Sequence, residues 1–369
     1  MQNRPPKFLR HLQIGLFLLA ISLPLLCKIV RYDPSPTLDE YRELKAKPPL
    51  PRNWSELVAW PNAFETWQRD RFGLRNTLIW WHSVLLRNVL GVSPTPDTIL
   101  GKDGWLFHGI PKALDGYRCL TPFSDGELAS LAKVLQEKHQ WLAQRQIAYV
   151  NVWVPLKANI YPELLPSWVN KLDRPCRLQQ WFTYMRAHTQ APVLDLTSTL
   201  RAAKSQGELY YLTDTHWNPR GGFVGAQAIL QNLHDQGAPV EPTPAESIEY
   251  FQEIRHGGDL ARLMAMQDAY RAPEWFAKIT RSCAKPASAN GIVREKGVNV
   301  RAFECERHRP TKLVMVHDSF GMNALPFLAE SFGRTLSIEF GDFDRDAIER
   351  EKPDAVVEIH LERQMTPDR

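Results

Sequence analysis

Two short stretches of this chain hold the residue types that nucleophilic catalysis through a serine requires. The first is Thr213-Asp214-Thr215-His216-Trp217-Asn218-Pro219. In extended backbone, residues two apart point to the same side, so Asp214 and His216 share a face. They lie just ahead of a helix that Asn218 would cap and Pro219 would open. A carboxylate beside an imidazole fixes its tautomer and supports the imidazolium formed in proton transfer. The second stretch is Leu313-Val314-Met315-Val316-His317-Asp318-Ser319-Phe320-Gly321. Here an apolar strand delivers Ser319 to a tight turn, and sites in open α/β sheets form at the carboxyl ends of strands. Backbone N–H groups at Ser319 and Phe320 can there face a developing oxyanion. Taken singly, each stretch has a plainer reading: a helix cap beside a solvated histidine, or a serine that only caps a helix. Together they supply an acid, a base and a nucleophile, in the order Asp, His, Ser. No other histidine is as well placed, since His317 precedes the turn and His360 lies in the last strand.

The elements that must position these residues alternate between helix and strand. Ser124 and Glu127 form a capping box for a helix running to about Gln144. Ile147–Val154 is a continuous apolar-aromatic run, as a buried parallel strand requires. A helix near Leu178–Thr189, a strand at Pro192–Leu196, a strand-like Leu209–Leu212 and a helix from Pro219 follow. The strands Lys312–Val316, Thr335–Phe340 and Ala355–Leu361 complete the alternation, with Asn323 expected to cap an irregular helix holding Pro326. Residues 240–310 are less regular and read as an insertion. The pattern specifies an α/β sandwich with a mostly parallel sheet. Upstream, residues 32–62 form a proline-rich tether, and a helical segment from about Ala63 to Leu90 is broken near Gly73. A hairpin is expected at Thr98–Phe107. The chain thus divides at about residues 31 and 95 into leader, tether with helical segment, and catalytic domain 96–369.

The Thr-Asp-Thr-His-Trp-Asn segment and the later His-Asp-Ser-Phe turn resemble those of the alginate O-acetyltransferase proteins of AlgJ/AlgX type, periplasmic enzymes of the SGNH-hydrolase-like class. The resemblance extends to Phe64–Asn76, to Gly101-Lys102-Asp103-Gly104-Trp105-Leu106-Phe107, and to Pro155–Pro166 with Lys157 and Tyr161-Pro162-Glu163. It implies an SGNH-like α/β/α sandwich with circularly permuted motif order, in which Asp214 is the acid, His216 the base and Ser319 the nucleophile. His317 stands where the class usually has the glycine that opens its Gly-Asp-Ser turn. The oxyanion donors are then sought at Phe320 and Gly321, and Trp217, Arg220 and Arg363 are candidate substrate contacts. The activity implied is transfer of an acetyl group to an exopolysaccharide hydroxyl. A multispanning membrane acyltransferase is implied as the partner that supplies it. The same three residues would serve an esterase, in which water replaces the sugar. A non-catalytic polysaccharide-binding scaffold is the third reading, and it predicts His216 and Ser319 far apart.

Composition narrows the setting. The 45 Lys and Arg nearly balance 41 Asp and Glu, and the basic residues are scattered, so nucleic-acid binding is not expected. The basic residues Arg4, Lys7 and Arg10 precede an uncharged stretch, Leu12 to Cys27, that Lys28 and Arg31 close. As a helix it would span about 24 Å, between a signal-peptide core and a true membrane span. No small-x-small cleavage site follows convincingly, so an uncleaved inner-membrane anchor and a periplasmic domain are expected. Outside that stretch lie four cysteines, Cys119, Cys176, Cys283 and Cys305. An even number suits an oxidising compartment, and sequence proximity favours Cys119–Cys176 with Cys283–Cys305 among the three pairings. None has metal-site spacing, so neither metal nor cofactor is expected.

Overall fold

The short apolar runs become strands because their β-branched residues are bounded by turn residues. The computed structural model describes residues 7–34, 43–289, 297–307 and 310–365. Its strands are β1 (Thr98–Leu100), β2 (Leu106–His108), β3 (Ala148–Val154), β4 (Val193–Asp195), β5 (Ile248–Arg255) and β6 (Ala272–Ile279). They continue with β7 (Lys285–Ala287), β8 (Asn299–Glu304), β9 (Lys312–His317), β10 (Arg334–Glu339) and β11 (Ala355–Leu361). The helices are α1 (Lys7–Ile29), α2 (Trp54–Asp70), α3 (Arg75–Asn88), α4 (Pro111–Tyr117), α5 (Asp125–Ala143) and α6 (Lys157–Ile160). After them come α7 (Arg177–His188), α8 (Thr197–Ala203), α9 (Pro219–Asp235), α10 (Asp259–Leu263), α11 (Gly321–Ala329) and α12 (Arg345–Glu351). The chain divides into two compact units, residues 1–95 with 261–269 and residues 96–260 with 270–369.

In the first unit, α1 contains a 22-residue apolar segment, Phe8–Ile29. At 1.5 Å per residue it measures about 33 Å, enough to cross the hydrocarbon core. This corrects the shorter stretch read from the sequence, because the helix takes in Phe8, Leu9 and Ile29 beyond the flanking basic residues, whose long stems can snorkel. The tether is also shorter than expected. Asn53 caps α2, its side chain accepting from the Glu56 N–H at 2.8 Å, so residues 54–62 are helical. Residues 35–42 of the tether lie outside the described residues. The helices α2 and α3 part around Gly73, where a Cβ would stand 1.7 Å from the Pro24 carbonyl oxygen.

The second unit is built on a seven-stranded sheet of order β4-β3-β11-β9-β10-β8-β7. The strands β4, β3, β11, β9 and β10 run parallel, while β8 and β7 add antiparallel. One face carries Val150, Val152, Leu313, Met315, Val357 and Ile359, packed with Ile229 and Leu230 of α9 and Phe327 and Leu328 of α11. The other carries Tyr149, Val314, Val316 and Val356, covered by Leu135 and Leu142 of α5, Trp181 and Met185 of α7 and Ile348 of α12. Period-two alternation in the strands sends successive side chains to opposite cores, which makes the three-layer α/β/α sandwich.

Two expectations need correction. Residues 240–310 are not one insertion, because β7 and β8 extend the central sheet while the antiparallel pair β5–β6 forms a sheet of its own. Leu209–Leu212 is not a strand, since its pairing is a single bridge between Tyr210 and Trp217. Disulfides join Cys119 to Cys176 and Cys283 to Cys305, and Cys27 is free.

Candidate active site

The strand β9 ends at His317, and the turn after it presents Ser319, half-buried, ahead of α11. The turn is held by the Asp318 carboxylate, which accepts from the Phe320 N–H at 2.8 Å and the Leu361 N–H at 2.7 Å. Gly321 is required there, because a Cβ would fall 2.3 Å from the His317 ring. His317 itself is buried, with ring nitrogens 2.7 Å from the Ser337 hydroxyl and 2.6 Å from the Asp318 carbonyl.

The loop ahead of α9 brings His216 to this serine. Asn218 caps α9 as expected, accepting from the N–H groups of Arg220 and Gly221. His216 Nδ1 lies 2.6 Å from Asp214 Oδ1, and Nε2 lies 2.7 Å from Ser319 Oγ. An ionised carboxylate only accepts, so the ring proton sits on Nδ1 and Nε2 is left to accept from the serine hydroxyl. Burial alone would raise the Asp214 pKa, but the His216 bond and charge, with the N–H groups of Asp259 and His216, hold it at about 2. Burial alone would lower the His216 pKa, and the bond and charge of Asp214, then the charges of Asp259 and Asp318, raise it above 6.5. Beneath the loop, the buried Lys157 ammonium donates to the carbonyls of Leu106 (2.7 Å), Leu212 (2.8 Å) and Asp214 (3.1 Å). Desolvation lowers its pKa to about 7 against the opposing pull of Asp214 and Asp259.

The structure thus brings Asp214, His216 and Ser319 into one hydrogen-bonded chain. It treats the other candidate residues differently. The Phe320 N–H is taken up by the Asp318 carboxylate and the Gly321 N–H donates to the Asp318 carbonyl at 3.1 Å, so neither faces an oxyanion. Trp217 is fully buried and donates to the Phe320 carbonyl at 2.8 Å, a packing role rather than a substrate surface. Asn323 lies inside α11 instead of capping it, and its amide donates to the Trp217 carbonyl at 2.6 Å. Arg220 is held between Tyr250 and Trp275, 4.3 Å from each ring centroid. Arg363 is the candidate contact that lies by the chain. With His108, Thr215 and Phe320 it lines a cavity of about 30 Å³. Burial and then the Arg363 charge lower the His108 pKa to about 4, so this neighbour of His216 is neutral at pH 7.

One acidic residue escaped the sequence reading. Asp259 accepts from the Thr215 N–H at 2.7 Å, and its Oδ2 lies 3.9 Å from His216 Nδ1. The signal for it is the glycine before it, Gly258, which lets the chain pass close to the Asp214 side chain. Ligand atoms of Asp214, His216 and Asp259 lie within 4.8 Å of one another. Here His216 Nδ1 is paired with Asp214 and both Asp259 oxygens accept from Thr215. A separate cavity of about 350 Å³, lined among others by Lys138, Trp153, Trp181, Glu358 and His360, opens under α5 and contains none of the three.

Comparison with known proteins follows the same outline. A model of the family described as "SGNH hydrolase-like domain, acetyltransferase AlgX" matches residues 98–300, which include Asp214 and His216 and stop short of Ser319. A "Probable alginate O-acetylase AlgJ" of Pseudomonas syringae pv. tomato is 28% identical over 221 residues, covering 57% of this chain and 52% of the relative. The protein of that name from Pseudomonas aeruginosa is 27% identical over 244 residues, covering 62% and 56%. The chain therefore spans about half the length of the curated relatives it matches. Bacillus cereus PatB1 shares the fold, with a TM-score of 0.53 and 17% identity over 72% of this chain and 95% of that one. With more than half its length matched, this chain belongs to the AlgX family of SGNH hydrolase-like acetyltransferase domains.

Proposed function

We propose that this protein is an O-acetyltransferase that works through a Ser319 acyl-enzyme and modifies an exopolysaccharide of the alginate kind. The observation that carries this reading is the imidazole of His216, bonded through one nitrogen to Asp214 and through the other to Ser319. A serine hydroxyl becomes a nucleophile when a base takes its proton, and the base holds that proton better beside an ionised acid. In the first half-reaction Ser319 Oγ attacks the donor's acetyl carbonyl while its proton passes to His216 Nε2. The donor's leaving group departs with that proton, leaving acetyl-Ser319. In the second, a sugar hydroxyl attacks the ester, His216 takes its proton, and Ser319 leaves with that proton restored. The oxyanion of each step falls near the Ser319 N–H, the backbone donor of the turn with no partner among the described residues.

The names of the relatives support acetylation of alginate, and the 2.7 Å contact between His216 and Ser319 runs against a non-catalytic scaffold. The apolar Phe8–Ile29 helix with its basic flank supports an inner-membrane anchor and a periplasmic domain. Acetyl-coenzyme A is not periplasmic, so a multispanning membrane acyltransferase would supply the acetyl group.

Mass spectrometry tests the reading: purified protein is incubated with an acetyl donor and alginate-type oligosaccharides, beside Ser319→Ala. Acetylated sugar from the wild type alone is the expected result. Free acetate without acetylated sugar would identify an esterase, and no acyl chemistry from folded protein would sink the proposal.

A further inference from the structure

Asp259 stands outside the Asp214–His216–Ser319 chain, yet its carboxylate and its N–H all face that loop. Oδ1 accepts from the Thr215 N–H at 2.7 Å and Oδ2 from the Thr215 hydroxyl at 2.5 Å. Its own N–H donates to Asp214 Oδ2 at 2.9 Å, and its Oδ2 lies 3.9 Å from His216 Nδ1. The approach depends on Gly258, where a Cβ would come within 2.5 Å of the Asp214 Cβ. Burial and then the Asp214 charge raise the Asp259 pKa above 3.8, while the two Thr215 donors and the His216 charge favour its ionised form. Two carboxylates this close repel unless a cation joins them. His216 becomes that cation when it takes the Ser319 proton, so the arrangement is better matched to the reacting state than to the resting one.

We infer that Asp259 is a positioning residue of this site, a second carboxylate that latches the Asp214–His216 loop through Thr215 and stabilises the imidazolium formed during acyl transfer. The inference deepens the proposed function and rests on it. The other groups that act on His216 are Asp214 from its own loop and Asp318 from the serine turn. His108 faces it from the end of β2, Arg363 acts on Asp259 and Asp318 from beyond β11, and Lys157 lies behind both acids. All of these remain when Asp259 alone loses its charge.

The test is the pH profile of kcat/KM for hydrolysis of an aryl acetate by the full chain in detergent. Wild type, Asp259→Asn, Asp259→Ser and Ser319→Ala are compared. Asn and Ser both keep an acceptor for the Thr215 N–H and remove the charge, and having two variants guards against one that does not fold. Loss of the charge lowers the His216 pKa, so the base stays neutral further into acid. The acid limb of both variants moves to lower pH by about half a unit or more, and the plateau rate falls about tenfold. A purely structural latch changes the rate but not the midpoint, so folded variants whose midpoint matches the wild type overturn the role of Asp259. If Ser319→Ala keeps the wild-type rate, the serine reading itself falls, and this inference with it.

Discussion

Two carboxylate–histidine groups of the domain, one half-buried and one built on the buried Glu358, do opposite things. In the first, the bonds run from Asp214 through His216 to a half-buried hydroxyl, so a proton taken at one end leaves a nucleophile at the other. In the second, Glu358 of β11 takes a bond from Lys138 at 2.7 Å and another from the Tyr149 hydroxyl, with His360 Nε2 at 3.8 Å. Burial alone would raise the Glu358 pKa, yet His360 and the Lys138 charge hold it at about 2. Tyr149 is pushed the other way: burial and the Glu358 charge raise its pKa well above 10, so the phenol keeps its proton. The second cluster therefore ends in a bound hydrogen rather than a nucleophile. A histidine near a carboxylate is common to both. What distinguishes the proposed site is a hydroxyl on the free ring nitrogen, placed where substrate can reach it.

Breaking each cluster separates them. Ser319→Ala should cost about a thousandfold or more in acyl transfer, measured as kcat/KM, with the melting temperature within about 2 °C of wild type. Glu358→Ala should do the reverse, destabilising by about 3–5 kcal/mol in urea melts because it leaves Lys138 without its partner, while folded protein keeps its rate. Acid sharpens the contrast. The Glu358 pKa is depressed on folding, so its stabilisation is present above the ordinary value of 4.5 and is lost as pH falls towards about 2. By linkage the loss is about 3 kcal/mol, and Glu358→Gln should flatten it in denaturation curves taken across that range. Activity fails earlier. His216 must be neutral to act as base, and its pKa lies above 6.5, so kcat/KM should fall as pH drops through a midpoint above that value while the protein stays folded. The smallest effect is expected at Arg220. Its replacement by Ala removes stacking on Tyr250 and Trp275, costing about 1 kcal/mol of stability and leaving small-ester hydrolysis unchanged.

The three residues of the hydrogen-bonded chain were legible because each is announced locally, by an Asp-x-His repeat before a helix cap or by a serine after an apolar strand. The five parallel strands were legible as short runs between turn residues, most plainly β3 and β9, whose burial on both faces demands continuous apolar residues. β7 and β8 were not, because a strand such as Asn299–Glu304, next to the sheet edge and with alternating exposed and buried residues, carries no sign of the sheet it joins. The oxyanion candidates misled because the Asp318 side chain folds back onto the Phe320 N–H, a bond that depends on how the turn closes. Asp259 was missed because it lies 43 positions from His216: the glycine before it marks a close approach, and only the fold shows to what.

By itself, the amino-acid order determined the alternation of helix and strand, an even set of cysteines with one pairing favoured among three, and residues of the types an acid, a base and a nucleophile require. Periodicity, turn residues and short spacing are local, and local features are written directly in sequence. The tertiary structure alone decided that His216 meets Ser319 across 103 residues, that Lys157 and Asp259 surround Asp214, and that Arg220 and Trp217 turn to packing. Hydrogen bonds and charges act over a few ångströms of space, and only the packed chain sets those distances.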